Sequence, residues 1–167
     1  NQKGVELDPH LSTSERWLAY TWQTRQQGQN QLIVEDLNTK QRWKIKETGT
    51  MLRSPVIATD ETALIYVAIS QSSCYLLKHQ LSSSGLSPEG EKLHQCHLNG
   101  QSASLAWSRN GQYLYFADKP NVNSPHAIYK LQLSSGAVSQ LNEQSFDNLG
   151  AYGLALSHSE HKLAYLA

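Results

Sequence analysis

One pattern recurs along this 167-residue chain at intervals of close to fifty residues, and it restricts the possible folds more than any other feature. The copies are "LSTSERWLAYTW" from Leu11 to Trp22, "VIATDETALIYVA" from Val56 to Ala68, "LAWSRNGQYLYFA" from Leu105 to Ala117 and "LALSHSEHKLAYLA" from Leu154 to Ala167. Each reads as the end of an apolar strand, a polar turn, and a second strand closing on aromatic and small apolar residues. Matching tyrosines fall at Tyr20, Tyr66, Tyr115 and Tyr165, at intervals of 46, 49 and 50 residues.

The second half of each unit repeats as well. "QLIVEDLNTKQRWKI" (Gln31 to Ile45), "CYLLKHQLSSSGLSPEGEKLHQCHL" (Cys74 to Leu98) and "AIYKLQLSSGAVSQL" (Ala127 to Leu141) are each a strand, a turn and a strand. Apolar and polar residues alternate in them between Gly, Ser, Asn or Pro clusters, as in half-buried strands. No window longer than about ten residues carries a helical period. The expected fold is all-β, with four short antiparallel strands per unit. Four strands per repeat is the plan of a β-propeller blade, whereas a sandwich of the same length need not repeat. The chain is therefore expected to form a single partial propeller domain over residues 1–167. Its blades fall at about 6–49, 50–98 and 99–146, with a half-blade at 147–167, about three and a half in all.

"LAWSRNGQYLYFAD" followed by "AIYKLQLSSGAVSQL" resembles the TolB-type, WD-like propeller repeat. Asn110-Gly111 supplies its turn, Leu114-Tyr115-Phe116 its strand, and "VEDLNTK" (Val34 to Lys40) is similar to its second half. "TDETALIY" departs from the pattern by lacking the Gly, and "SHSEHKLAY" lacks both Pro and Gly. Propellers usually close with four to eight blades, and an open arc exposes sheet faces and edges. The chain is thus expected to be part of a longer protein, or an arc completed by another copy.

Lys plus Arg and Asp plus Glu number 14 each. That balance argues against a polyanion-binding surface, so no nucleic acid is expected on this segment. The longest apolar run, "ALIYVAI" (Ala63 to Ile69), is too short to cross a bilayer. "NQKGVELDPH" carries no apolar leader segment. Any membrane attachment is expected through an anchor outside the segment.

Cys74 and Cys96 are the only cysteines. In a hairpin centred on Gly85 they face each other, at the separation of about 4.5–5.5 Å that a disulfide requires. The same register opposes Lys78 to Lys92, which is unfavourable. The competing reading is two reduced thiols in a cytosolic protein. In "HQCH", His94 and Cys96 point to one face of a strand and His97 to the other, which does not converge on one metal ion. "HSEH" (His158 to His161) reads as a solvated turn. "DKPNVNSPH" offers Asp118, Asn121 and Asn123 but lacks the Gly and terminal Glu of a calcium loop. "GLSPEG" (Gly85 to Gly90) is not a nucleophile elbow, and no phosphate-binding glycine loop is present. Trp17, Trp22, Trp43 and Trp107 are expected to pack sheet on sheet. No catalytic, metal or cofactor site is expected, and no residues name a ligand.

What the resemblance implies is a platform. Proteins with such repeats include periplasmic scaffolds, propeller domains preceding a serine peptidase, and regulators similar to CadC and ToxR. In those regulators a cytoplasmic winged helix is joined by one membrane helix to a periplasmic sensor. The degenerate repeats, the cysteine pair and the Gln- and Ser-rich surface resemble the last group most. The expected role is a non-catalytic sensor or protein-interaction domain on the periplasmic face of an inner-membrane regulator. It would bind a small-molecule signal or protein partner, and it could form a homo-oligomer. The alternatives are the gate of a prolyl-oligopeptidase-like enzyme and a TolB-like periplasmic scaffold.

Overall fold

A computed structural model describes residues 4–24, 30–98, 104–121, 123–124, 126–141, 152–157, 159 and 162–166. Among them there is no helix, and so none long and apolar enough to cross a membrane. The first sheet runs in order β1 (Gly4–Leu11), β2 (Trp17–Thr24), β3 (Asn30–Asp36) and β4 (Arg42–Ile45). The second holds β5 (Met51–Ile57), β6 (Ala63–Ile69), β7 (Cys74–Ser82) and β9 (Glu91–Cys96), with the two-residue β8 (Gly85–Leu86) extending the tip of β7. The third is β10 (Leu105–Trp107), β11 (Tyr113–Asp118), β12 (Ala127–Gln132) and β13 (Val138–Gln140). A two-stranded pair, β14 (Tyr152–Leu156) and β15 (Leu163–Leu166), follows. All pairings are antiparallel, between neighbours in sequence except β7 with β9 across the short β8, which gives an all-β partial propeller.

The repeated turn has one geometry throughout. The amide and carbonyl of Ser12 and Trp17, Ala58 and Ala63, Ser108 and Tyr113, and Ser157 and Lys162 close successive copies, each with an N···O distance of 2.8 Å. In three of them the serine hydroxyl also accepts from the far amide: Trp17 onto Ser12, Tyr113 onto Ser108, Lys162 onto Ser157. The turn needs one left-handed residue, filled by Glu15 (φ 61°), Glu61 (φ 59°) and Gly111 (φ 73°) in turn. The turn between third and fourth strands likewise places Lys40 (φ 62°) where the third blade has Gly136 (φ 71°). Asp36 caps that turn by accepting from the Asn38 and Thr39 amides and from Arg16. The Arg16 guanidinium, ahead of those amides, holds its carboxyl below the usual carboxylate range. Because nothing lies within 4 Å of a Cβ added at Gly111, Gly111→Ala is expected to cost only backbone strain, about 1 kcal/mol. Glu15→Gly should cost nothing, unlike a glycine placed mid-strand. Paired urea titrations check both values.

Sheets stack face on face in chain order, and three apolar layers fill the gaps. Trp17, Ala19, Leu32 and Val34 of the first blade meet Leu52, Leu64, Tyr66 and Leu77 of the second. Behind them, Ile65, Val67, Leu76 and the two cysteines meet Leu114, Phe116 and Leu131 of the third. Ala106, Ala117 and Ile128 meet Leu154. A buried Leu, Ile or Phe contributes about 1.5–3 kcal/mol, so these layers dominate the packing energy. Trp17 lies in the core, with Trp43 tilted against it at 5.7 Å.

Many polar contacts between blades run from side chains to the neighbour's main chain. Asn30 Nδ2 donates to the Leu52 carbonyl at 2.7 Å and Oδ1 accepts from the Leu52 amide at 2.9 Å, as a strand residue would. Asp8 Oδ2 accepts from the Ser54 amide at 3.2 Å, and Glu61 Oε1 from the Ser14 amide at 2.9 Å. The Ile57 amide donates to His10 Nδ1 at 3.2 Å. That bond requires an unprotonated nitrogen, and burial lowers the His10 pKa accordingly.

The second blade departs from the expected register. Cys74 faces Cys96 and Leu76 faces His94, but the ladder then slips, so that Leu77 opposes Lys92 and Lys78 opposes Glu91. The turn itself is Ser83-Ser84, flanked by Ser82 and Gly85. A single centre at Gly85 therefore holds near the cysteines and fails near the tip. The bulge at Leu93 converts the expected Lys78–Lys92 repulsion into a Lys78–Glu91 attraction at 3.8 Å.

Candidate functional site

A bulge shapes the first strand of the first, second and fourth sheets. In β1 the register passes from Leu7 opposite Thr21 to His10 opposite Ala19, so Asp8 and Pro9 share one partner position, that of Tyr20. In β5, Ser54 and Pro55 oppose Tyr66, and in β14 residues 153–154 oppose Tyr165. Three of the four repeated tyrosines thus mark a position that faces a bulge, whereas Tyr115 pairs with Ala106 in an unbroken ladder. Asp8 (φ 51°) and Ser54 (φ 51°) both turn left-handed there, each ahead of a proline. The two bulges lie side by side, joined by the Ser54-to-Asp8 hydrogen bond.

Beside this join the first two blades part to form a cleft of about 190 Å³. Leu7 and Asp8 of β1 and Thr21 and Gln23 of β2 form one wall; Asn30, Met51 and Arg53 complete it. Arg53 Nε stands 3.9 Å from Asp8 Oδ2, each side chain 31% exposed. Leu7 is 40% and Met51 49% exposed. The cleft thus offers a loosely coupled pair of opposite charges beside apolar surface. No motif marked it in the sequence, because its walls come from different repeats. The available signal was the pair of matched dipeptides, Asp8-Pro9 and Ser54-Pro55.

The residues singled out in the sequence are distributed as follows. Cys74 and Cys96 form a disulfide with Cα atoms 5.0 Å apart, both nearly inaccessible. His94 tilts against the Phe116 ring at 5.2 Å, which in turn stacks on Tyr129. Burial lowers the His94 pKa. His97 turns instead to the third blade, where buried Asp118 accepts from the His97 amide at 3.1 Å and from Nδ1–H at 3.0 Å. Asp118 also accepts from the Lys119 amide at 2.7 Å, so its carboxylate serves the blade junction. Asn121 Oδ1 caps its own turn through the Asn123 amide. His158 and His161 lie outside the described residues. Among the described residues no three His, Cys, Asp or Glu side chains assemble a metal-binding group. Trp107 packs at the second junction, and its buried Nε1–H has no hydrogen-bond partner among the described residues. Asp118→Ala strands three donors and is expected to cost about 2 kcal/mol, whereas Asp118→Asn keeps an acceptor and should cost less. Thermal melts of the two variants decide the order.

A second polar cluster lies inside the second blade. His79 Nδ1–H donates to the Ser87 carbonyl at 2.8 Å, and Nε2 shares a hydrogen bond with the Tyr66 hydroxyl at 3.1 Å. Burial raises the Tyr66 pKa far above its ordinary value, so the phenol keeps its proton. The cluster joins the blade's tip loop to its core.

No protein-family model matches the sequence, and no curated protein matches it. Solved structures do match in shape. TolB from Acinetobacter baumannii aligns at 16% identity with a TM-score of 0.74, covering 97% of this chain and 37% of that one. The β-propeller domain of the trilobed protease from Pyrococcus furiosus aligns at 15% identity and TM-score 0.65, covering 86% of this chain and 44% of that one. A chain of the nidogen–laminin complex aligns at 14% identity and TM-score 0.70, covering 98% and 57%. These likenesses show a propeller fold, and the chain spans well under two thirds of each of these structures.

Proposed function

We propose that the chain is a non-catalytic binding domain that works outside the cytoplasm, as the sensing part of a membrane-bound transcriptional regulator. The observation that carries this reading is the Cys74–Cys96 disulfide, buried between two blades. Structural disulfides persist in oxidising compartments and are rare in the cytosol. A propeller in such a compartment commonly acts as a rigid frame, with function in the sites its loops and strand ends present. The equal numbers of acidic and basic residues support placing DNA contact in another domain. A signal would bind where opposite charge and apolar surface meet, as they do at the cleft between the first two blades.

A second reading is the gate of a serine peptidase, favoured by the likeness to the trilobed protease domain and to a prolyl endopeptidase. A TolB-like scaffold is the third. The reading frame on either side of this segment separates them. A winged-helix segment followed by about 20 apolar residues upstream supports the regulator. A Gly-x-Ser-x-Gly hydrolase segment downstream overturns it in favour of the peptidase, and a cleavable leader with neither segment does so in favour of the scaffold. Thiol labelling of the native, unreduced protein tests the compartment, since rapid reaction of both cysteines would remove its support.

A further inference from the structure

We propose that the cleft between β1 and β5 is a binding site for a free apolar α-amino acid, a specific form of the binding role above and resting on it. Three observations point to that ligand. First, the Arg53 guanidinium makes no hydrogen bond to any described residue, and its nearest carboxylate oxygen stands 3.9 Å away. That distance is an ion pair without a hydrogen bond. A guanidinium fork at a cleft wall is suited to two-point binding of a carboxylate. Second, Asp8 spends Oδ2 on the Ser54 amide and retains acceptor capacity for an ammonium group. The two charges are near enough to engage an amine and a carboxylate borne on one carbon.

Third, two of the other polar wall residues are already occupied, while Gln23 is exposed at the edge of the cleft. Asn30 uses both ends of its amide on Leu52, and the Thr21 hydroxyl donates to the Leu52 carbonyl at 3.3 Å. Asp8 and Arg53 are the charged groups of the cleft and would orient a zwitterionic ligand, while half-exposed Leu7 and Met51 supply surface for an apolar side chain. The volume of about 190 Å³ lies below the roughly 300–1,000 Å³ of sites for drug-sized ligands. A single amino acid suits it, and an extended peptide does not.

Isothermal titration of the intact protein with L-leucine tests the assignment, with N-acetyl-L-leucine and L-leucinamide as capped analogues. Saturable binding of leucine is expected, weakened at least about tenfold by either cap. Arg53→Gln should lose a similar factor. So should Asp8→Asn, which keeps an oxygen for the Ser54 amide. Absence of saturable leucine binding at millimolar concentration overturns the site. Equal binding of free and capped leucine overturns the ligand class. Should a variant fail to fold by near-ultraviolet circular dichroism, the analogues on the native protein decide. A regulator's reading frame without leucine binding overturns this site alone. Leucine binding beside a hydrolase segment overturns the sensor reading alone.

Discussion

Gly85→Ala is expected to lower the free energy of unfolding by about 2–4 kcal/mol. Two costs combine. Gly85 has φ 112°, which residues with a Cβ rarely adopt. The new methyl would also fall on the indole of Trp43, whose ring covers the glycine. Trp43 also packs against Trp17 of the core, ring centroids 5.7 Å apart, so displacing it disturbs that contact. Gly111→Ala provides the comparison, since it carries the backbone cost without the collision. Urea unfolding followed by tryptophan fluorescence measures both. Equal losses would mean that Trp43 is not seated on Gly85, and that the tip of the second blade does not clasp the first.

Removal of the disulfide is expected to cost about 3 kcal/mol, whether by reduction or as Cys74→Ala/Cys96→Ala. The cysteines are 22 residues apart, and a cross-link of that span removes much of the freedom of the unfolded loop. The loss should also have a direction. Cys96 precedes His97, whose amide and ring hold Asp118 of the third blade. Hydrogen exchange should therefore rise in β9 and at the junction with β11 before it rises in the first blade. Identical urea midpoints for oxidised and reduced protein would sink the expectation.

The turn of each repeat was legible because its polar residues recur with the strand pattern. Its missing glycines misled only at the level of motif: Glu15 and Glu61 take up the same left-handed conformation as Gly111. The cysteine pairing was legible for a related reason, since strand alternation and one hairpin suffice to oppose them. The slip at Leu93 was not, because a bulge adds a residue without changing the hydrophobic period that a sequence reveals. The cleft was the least visible feature. Asp8 and Arg53 meet only because two bulges in different repeats are placed side by side by blade stacking, and neither lies in a recognisable motif.

The stitches between blades have a consequence for how such a chain can change. Asn30 grips the amide and carbonyl of Leu52, Asp8 the amide of Ser54, Glu61 that of Ser14, and Asp118 that of His97. Each reads a group that every residue but proline presents in full. Where the main chain alone is gripped, as at Leu52, the position is free to mutate as far as the polar contact is concerned; at His97 the ring is held by Asp118 as well. Repeats joined this way can diverge one at a time without unfastening their neighbours. A chain so built can keep the shape of a propeller at 16% identity.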